Sequence, residues 1–131
     1  MKEFIYKFSI TNEAIDLNGH VNNAFYLKFM QDAAEAHSEQ VGDTFESQFT
    51  NGFTWVVRRN EIDYLGQLFL GDEVEIKTWV EQEKKASSKR YFEFVKAGKI
   101  VAKAITTYVY FDIQNQRPVA IPPEIAKLYE D

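Results

Sequence analysis

The chain has no cysteine. That excludes a disulfide framework, a zinc–thiolate site, an iron–sulfur cluster and a cysteine nucleophile. Histidine occurs only twice, at His20 and His37, a spacing that fits no metal motif, so neither a metal nor a cofactor is expected. Cations are in deficit: 15 Lys and Arg against 20 Asp and Glu give a formal charge of -5, which argues against a nucleic-acid partner. No apolar run approaches the ~18–20 residues of a membrane span, so no membrane partner is expected. The opening Met1 to Phe8 alternates rather than forming the apolar core of a leader, and the expected compartment is the cytoplasm. There is no Gly-x-Ser-x-Gly elbow, no phosphate-binding Gly-x-x-x-x-Gly-Lys loop and no Gly-x-Gly-x-x-Gly fingerprint.

What is present is apolar and aromatic. Of 131 residues, 45% are hydrophobic and 15% aromatic, enough for one domain over 1–131 with a core of its own. Phe4 to Ile10 alternates with period two and predicts a strand. From Asn22 or Asn23, an N-cap type, the period changes. Ala24, Phe25, Leu27, Phe29, Met30, Ala33, Ala34, His37 and Val41 predict a long helix, apolar round much of its circumference and closed by Gly42. Asp43 to Gly52 is a polar connection with room for a helical turn. Four strand-like segments follow: 53–65, 73–82, 87–97 and 99–113. Short turns join the last three, so antiparallel neighbours are expected. Pro122-Pro123 starts a short terminal helix. A helix apolar on most sides and a one-faced sheet must bury each other. The fold class is therefore α+β, a curved antiparallel sheet of about five strands wrapped around a central helix. Its long edge strand invites pairing with a second copy.

The chemistry is concentrated in Asp16-Leu17-Asn18-Gly19-His20-Val21-Asn22-Asn23, just before the helix. Unpaired amides and the helix dipole there stabilise an oxyanion, and Val21, Asn22 and Asn23 are the candidate donors. Asp16 and His20 are residue types that act as base, nucleophile or water-orienting group, and Asn18 can hold water or a carbonyl. The alternative is structural: such residues also make Asx-turns and caps. Glu61 is a weaker candidate, since Arg58-Arg59 beside it offers a plain ion pair. Lys84, Lys85, Lys89 and Arg90 are either a solvated hairpin or a patch for a nucleotide phosphate. His37 is expected to be a packed or partly exposed helix residue rather than a catalytic one.

The string Asp16 to Tyr26, with Arg58 to Tyr64, Gly71-Asp72-Glu73-Val74 and the close Thr106 to Pro122, resembles the hotdog-fold thioesterases over nearly the whole chain. The 4-hydroxybenzoyl-CoA thioesterase and YbgC-like group carries its leading aspartate two residues earlier, where this chain has Ala14. The string is similar instead to plant acyl-carrier-protein thioesterases, and that resemblance implies roles for Asp16, Asn18 and His20, with Glu61 as the nearest match to a downstream glutamate. It further implies hydrolysis of acyl-CoA or acyl-carrier-protein thioesters at a dimer interface, in a homodimer or a dimer of dimers. Two other functions stay open on the same fold: a non-catalytic acyl-thioester binding module and a 3-hydroxyacyl thioester dehydratase.

Overall fold

The computed structural model describes residues 2–130. Strand β1 (Phe4–Ser9) leads through a 3-10 turn (Asn12–Ala14) to helix α1 (Ala24–Val41), and a short helix α2 (Phe45–Asn51) follows. The chain then runs through β2 (Phe53–Tyr64), β3 (Glu73–Gln82), β4 (Ser87–Lys96), β5 (Lys99–Asp112) and the two-residue β6 (Arg117–Pro118) to α3 (Pro123–Leu128). The strands form one antiparallel sheet in the order β1-β3-β4-β5-β2, with β6 added against β5.

Alternation decides the faces. On β3, Val74, Ile76 and Thr78 are buried while Glu73 and Glu75 face out, and on β4 Phe92 and Phe94 fall on the same inner face. Ala33 and Ala34 on α1 and Ala102 and Ala104 on β5 are buried in the same core. Tyr26, Phe29, Met30, Ala33, Ala34 and His37 form the buried side of α1. The helix expected to be apolar round much of its circumference is buried on one side only: Leu27, Gln31, Glu35 and Glu39 on the opposite stripe are exposed. That stripe faces a cavity rather than more core. The polar connection after α1 carries α2, started by Thr44, whose Oγ1 accepts the Ser47 N–H at 3.0 Å.

Strand β2 is a sheet edge of 12 residues, with Val56 and Val57 exposed. Its register on β5 shifts between Val57 and Arg59, a bulge at Arg58.

Candidate active site

The Asp16–His20 segment is a closed turn. A bridge between Ile15 and Val21 pins its base. The Asp16 N–H donates to the His20 carbonyl (3.1 Å), and the Gly19 N–H donates to the Asp16 carbonyl (3.0 Å). Gly19 has φ +83, the left-handed conformation that permits this tight path. Asp16 Oδ1 accepts the Asn18 N–H at 2.9 Å, an Asx-turn, and its Oδ2 takes no hydrogen bond among the described residues. Asp16 and His20 are half-buried, Asn18 is exposed, and Leu17 stands fully in solvent. The His20 Nδ1 lies 3.5 Å from the Val21 carbonyl, and its ring meets the edge of Phe69 at 6.5 Å.

The expected trio of free amides at the helix start is corrected to one. The Val21 N–H donates to the Leu68 carbonyl (2.8 Å) and the Asn22 N–H to the Ala14 carbonyl (2.9 Å). The physical reason is that this stretch enters the core before the helix begins, with Val21 only 2% exposed. Asn22 is the capping side chain, its Oδ1 accepting the Ala24 N–H at 2.9 Å. The Asn23 N–H has no partner among the described residues, and it sits at the start of an 18-residue helix.

Glu61 is exposed and paired with Arg59 at 3.3 Å. The four cations expected as one basic patch are not together. Lys84 and Lys85 are exposed and Lys89 pairs with Glu83 at 3.0 Å, whereas Arg90 is buried at 4% exposure on the opposite face of β4. Arg90 follows the phase of Ser88, Phe92 and Phe94, all inward.

Beneath the outer stripe of α1 lies a cavity of about 570 Å³, within the range of small-molecule sites. Asp16 and His20 do not line it; its lining begins one turn into α1, at Leu27, and crosses to β2 at Trp55, Val57 and Asn60. Its inner end is polar. Arg90 Nη1 is 2.9 Å from His37 Nδ1 and 3.1 Å from Thr78 Oγ1. Asp43 is buried there because Gly42, at φ +89, ends α1 and turns the next residue back, its N–H reaching the Ser38 carbonyl at 2.9 Å. Asp43 Oδ2 accepts from Trp55 Nε1 (2.9 Å) and from the Tyr129 hydroxyl (2.6 Å). The Tyr129 ring lies against Arg90, 5.6 Å from the guanidinium carbon.

His37 is fully buried, stacked on Phe4 at 5.1 Å, with Nε2 unpartnered. Burial, then the Arg90 and Lys2 charges, lower its pKa to about 4, so it is neutral and can accept from Arg90. Burial likewise pulls Arg90 below its ordinary value, while Tyr108, Tyr129 and Asp43 push it back up. Asp43, Tyr129 and Asn60 carried no signal in the motif reading. Arg90 did, had the alternation Ser88-x-Arg90-x-Phe92-x-Phe94 been followed.

Residues 10–128 match the family model of the Thioesterase-like superfamily. The chain is 28% identical over 118 residues to the long-chain acyl-CoA thioesterase FadM of Escherichia coli (strain K12), covering 88% of this chain and 89% of that one. A 1,4-dihydroxy-2-naphthoyl-CoA thioesterase from Synechocystis superposes with a TM-score of 0.92 at 17% identity, covering 99% and 97% of the two chains. A Staphylococcus aureus protein solved in complex with CoA does so at 0.90 and 18%, covering 97% and 81%. The shared architecture is the hotdog fold, and with most of its length matched by the family model this chain belongs to the Thioesterase-like superfamily.

Proposed function

We propose that this chain, one hotdog unit over 1–131, hydrolyses acyl-CoA thioesters to free acid and CoA through the Asp16–Asn23 segment. The observation that carries the site is the Asn23 N–H, unpaired among the described residues at the positive end of α1, in the same short segment as the half-buried Asp16 and His20. Membership of the thioesterase-like superfamily and the likeness to FadM support the reaction class.

The chemistry needs few parts. Water adds to the thioester carbonyl carbon while Asp16 Oδ2, the oxygen not used by the turn, takes its proton. The carbonyl oxygen becomes an oxyanion and accepts from the Asn23 N–H. The C–S bond then breaks as a proton held on the His20 ring passes to the leaving sulfur, and the cycle closes when Asp16 gives its proton to solvent and His20 takes one up. Asn18 holds Asp16 through its own amide and offers its side chain to the water. Glu61, on the β2 edge, is the second carboxylate of the site in a paired assembly. Lys84 and Lys85, with Lys89, supply positive charge for the CoA phosphates.

In this reading the protein is a cytoplasmic homodimer, or a dimer of dimers, with copies joined along β2. The length of that unpaired edge and its exposed Val56 and Val57 support the pairing. Turnover of short, long and aromatic acyl-CoAs, followed by thiol release, tests the function. Thiol and acid are expected in equal amounts. Tight acyl-CoA binding without thiol release would favour the binding module, and hydration of an enoyl-CoA the dehydratase.

A further inference from the structure

The large cavity has a small neighbour of about 30 Å³, and the two share four lining residues, Trp55, Val80, Ser88 and Tyr129. Those four form the wall between them. Behind the wall the small space is bounded by Ile121, before α3, and by Ala126 within it. The large cavity follows α1 from Leu27 to Ser38, roughly 16 Å at the rise of a helix. The Tyr129 hydroxyl lies 2.9 Å from Ser38 Oγ, so the wall stands at the end remote from the Asp16–Asn23 turn.

Tyr129 is the one member of the wall that reaches it from outside the sheet. The backbone delivers it. The Val119 N–H donates to the Tyr110 carbonyl (2.9 Å) and the Ile121 N–H to the Lys85 carbonyl (2.8 Å), and Pro122-Pro123 then start α3. Tyr129 follows that helix at 4% exposure. Its hydroxyl donates to Asp43 Oδ2 and accepts from Ser38, while its ring lies against Arg90 and edge-on to His37. A ring held at its tip and its face is a fixed stop. With its hydroxyl engaged twice, it costs little to cover with an apolar chain end.

We infer that Tyr129 sets the length of chain that the large cavity accepts: the acyl group runs along the outer stripe of α1 and its last carbon stops at the Tyr129 ring. Leu27, Met30, Ala34 and Val57 supply the apolar path to it. Tyr129 is thus a specificity-determining residue, remote from the reacting atoms. The inference rests on the thioesterase reading for the identity of the chain as an acyl group, but not for the wall.

The test uses saturated alkyl-CoA thioethers of increasing length, which cannot be hydrolysed, with binding to the full-length protein measured by calorimetry. In the wild type, affinity is expected to rise by roughly fourfold per added methylene and then level off at a limiting length. Tyr129→Ala joins the two spaces. It is expected to move the limit outward by about two carbons and to bind the compounds beyond the wild-type limit about tenfold more tightly than the wild type does. Tyr129→Phe keeps the ring and loses both hydrogen bonds, so it is expected to lose stability and keep the limit. An unchanged limit in Tyr129→Ala, an equal extension in Tyr129→Phe, or wild-type affinity that does not depend on length overturns the inference. If Tyr129→Ala does not fold, a crystal structure of the wild type with the limiting thioether decides: the terminal carbon is expected against the Tyr129 ring, and a chain ending elsewhere overturns the assignment. Hydrolysis of acyl-CoAs with no shift of the limit would leave the thioesterase reading and remove this one. A shifted limit without any hydrolysis would do the reverse.

Discussion

Two polar regions of this protein are built in opposite ways. The Asp16–Asn23 turn is held by backbone: a bridge, two main-chain bonds and a left-handed glycine fix its path, and the side chains of Asp16 and His20 are left with unused atoms. The Arg90–His37–Asp43 cluster is held by side chains from α1, β2, β3, β4 and the residue after α3. A turn made by its backbone can lose a side chain and keep its shape. A buried cluster cannot, because each truncation strands a partner. The turn can thus carry side chains with unused atoms, while the cluster fixes the local packing.

Substitutions sharpen that contrast. The largest expected loss of stability is in Arg90→Ala, which strands His37 Nδ1 and Thr78 Oγ1 and should cost about 3 kcal/mol in denaturant unfolding. A change below about 1 kcal/mol would mean the cluster is not a structural unit. Next is pH. His37 has a folded pKa of about 4 against ~6.5 when unfolded, so the unfolded chain binds more protons between those values. Stability is full above pH ~6.5 and falls as the pH drops towards about 4, by about 3 kcal/mol in all. His37→Gln should flatten unfolding free energy across that window.

A smaller effect is expected at Gly19. A Cβ there meets nothing within 4 Å, so Gly19→Ala costs only its φ of +83, about 1 kcal/mol, seen as a small drop in melting temperature. The smallest is at the exposed Lys84 and Lys85. Replacing both by Gln should raise KM for CoA esters by about threefold at low salt and leave small pantetheine esters unchanged. Equal shifts for both esters would remove the lysines from CoA binding.

The strands and α1 were legible because their periods are clean: Val74, Ile76 and Thr78 alternate, and Tyr26, Phe29, Met30, Ala33 and His37 repeat at helical spacing. Helix α2 was legible only as room for a helical turn between Asp43 and Gly52, since its apolar Phe45 and Phe49 face solvent and no core imposes a period on it. The turn was recognised from composition, but not the spent amides of Val21 and Asn22. Their acceptors include Leu68, which is distant in sequence. Arg90 is near Lys84, Lys85 and Lys89 along the chain, but strand phase turns it to the opposite face of β4. Asp43 looked like one more polar connector residue. Its burial follows from the Gly42 reversal, and its role depends on Trp55 and Tyr129, which are brought to it only by the fold.

Asp16→Asn tests the central claim most directly, because Asn keeps an Oδ1 for the Asn18 N–H and removes only the charge and basicity. Measured on the best acyl-CoA from the screen, kcat/KM should fall by about 100-fold or more with the melting temperature essentially unchanged. Near-normal turnover in that variant would contradict the account and leave Asp16 as a turn residue alone.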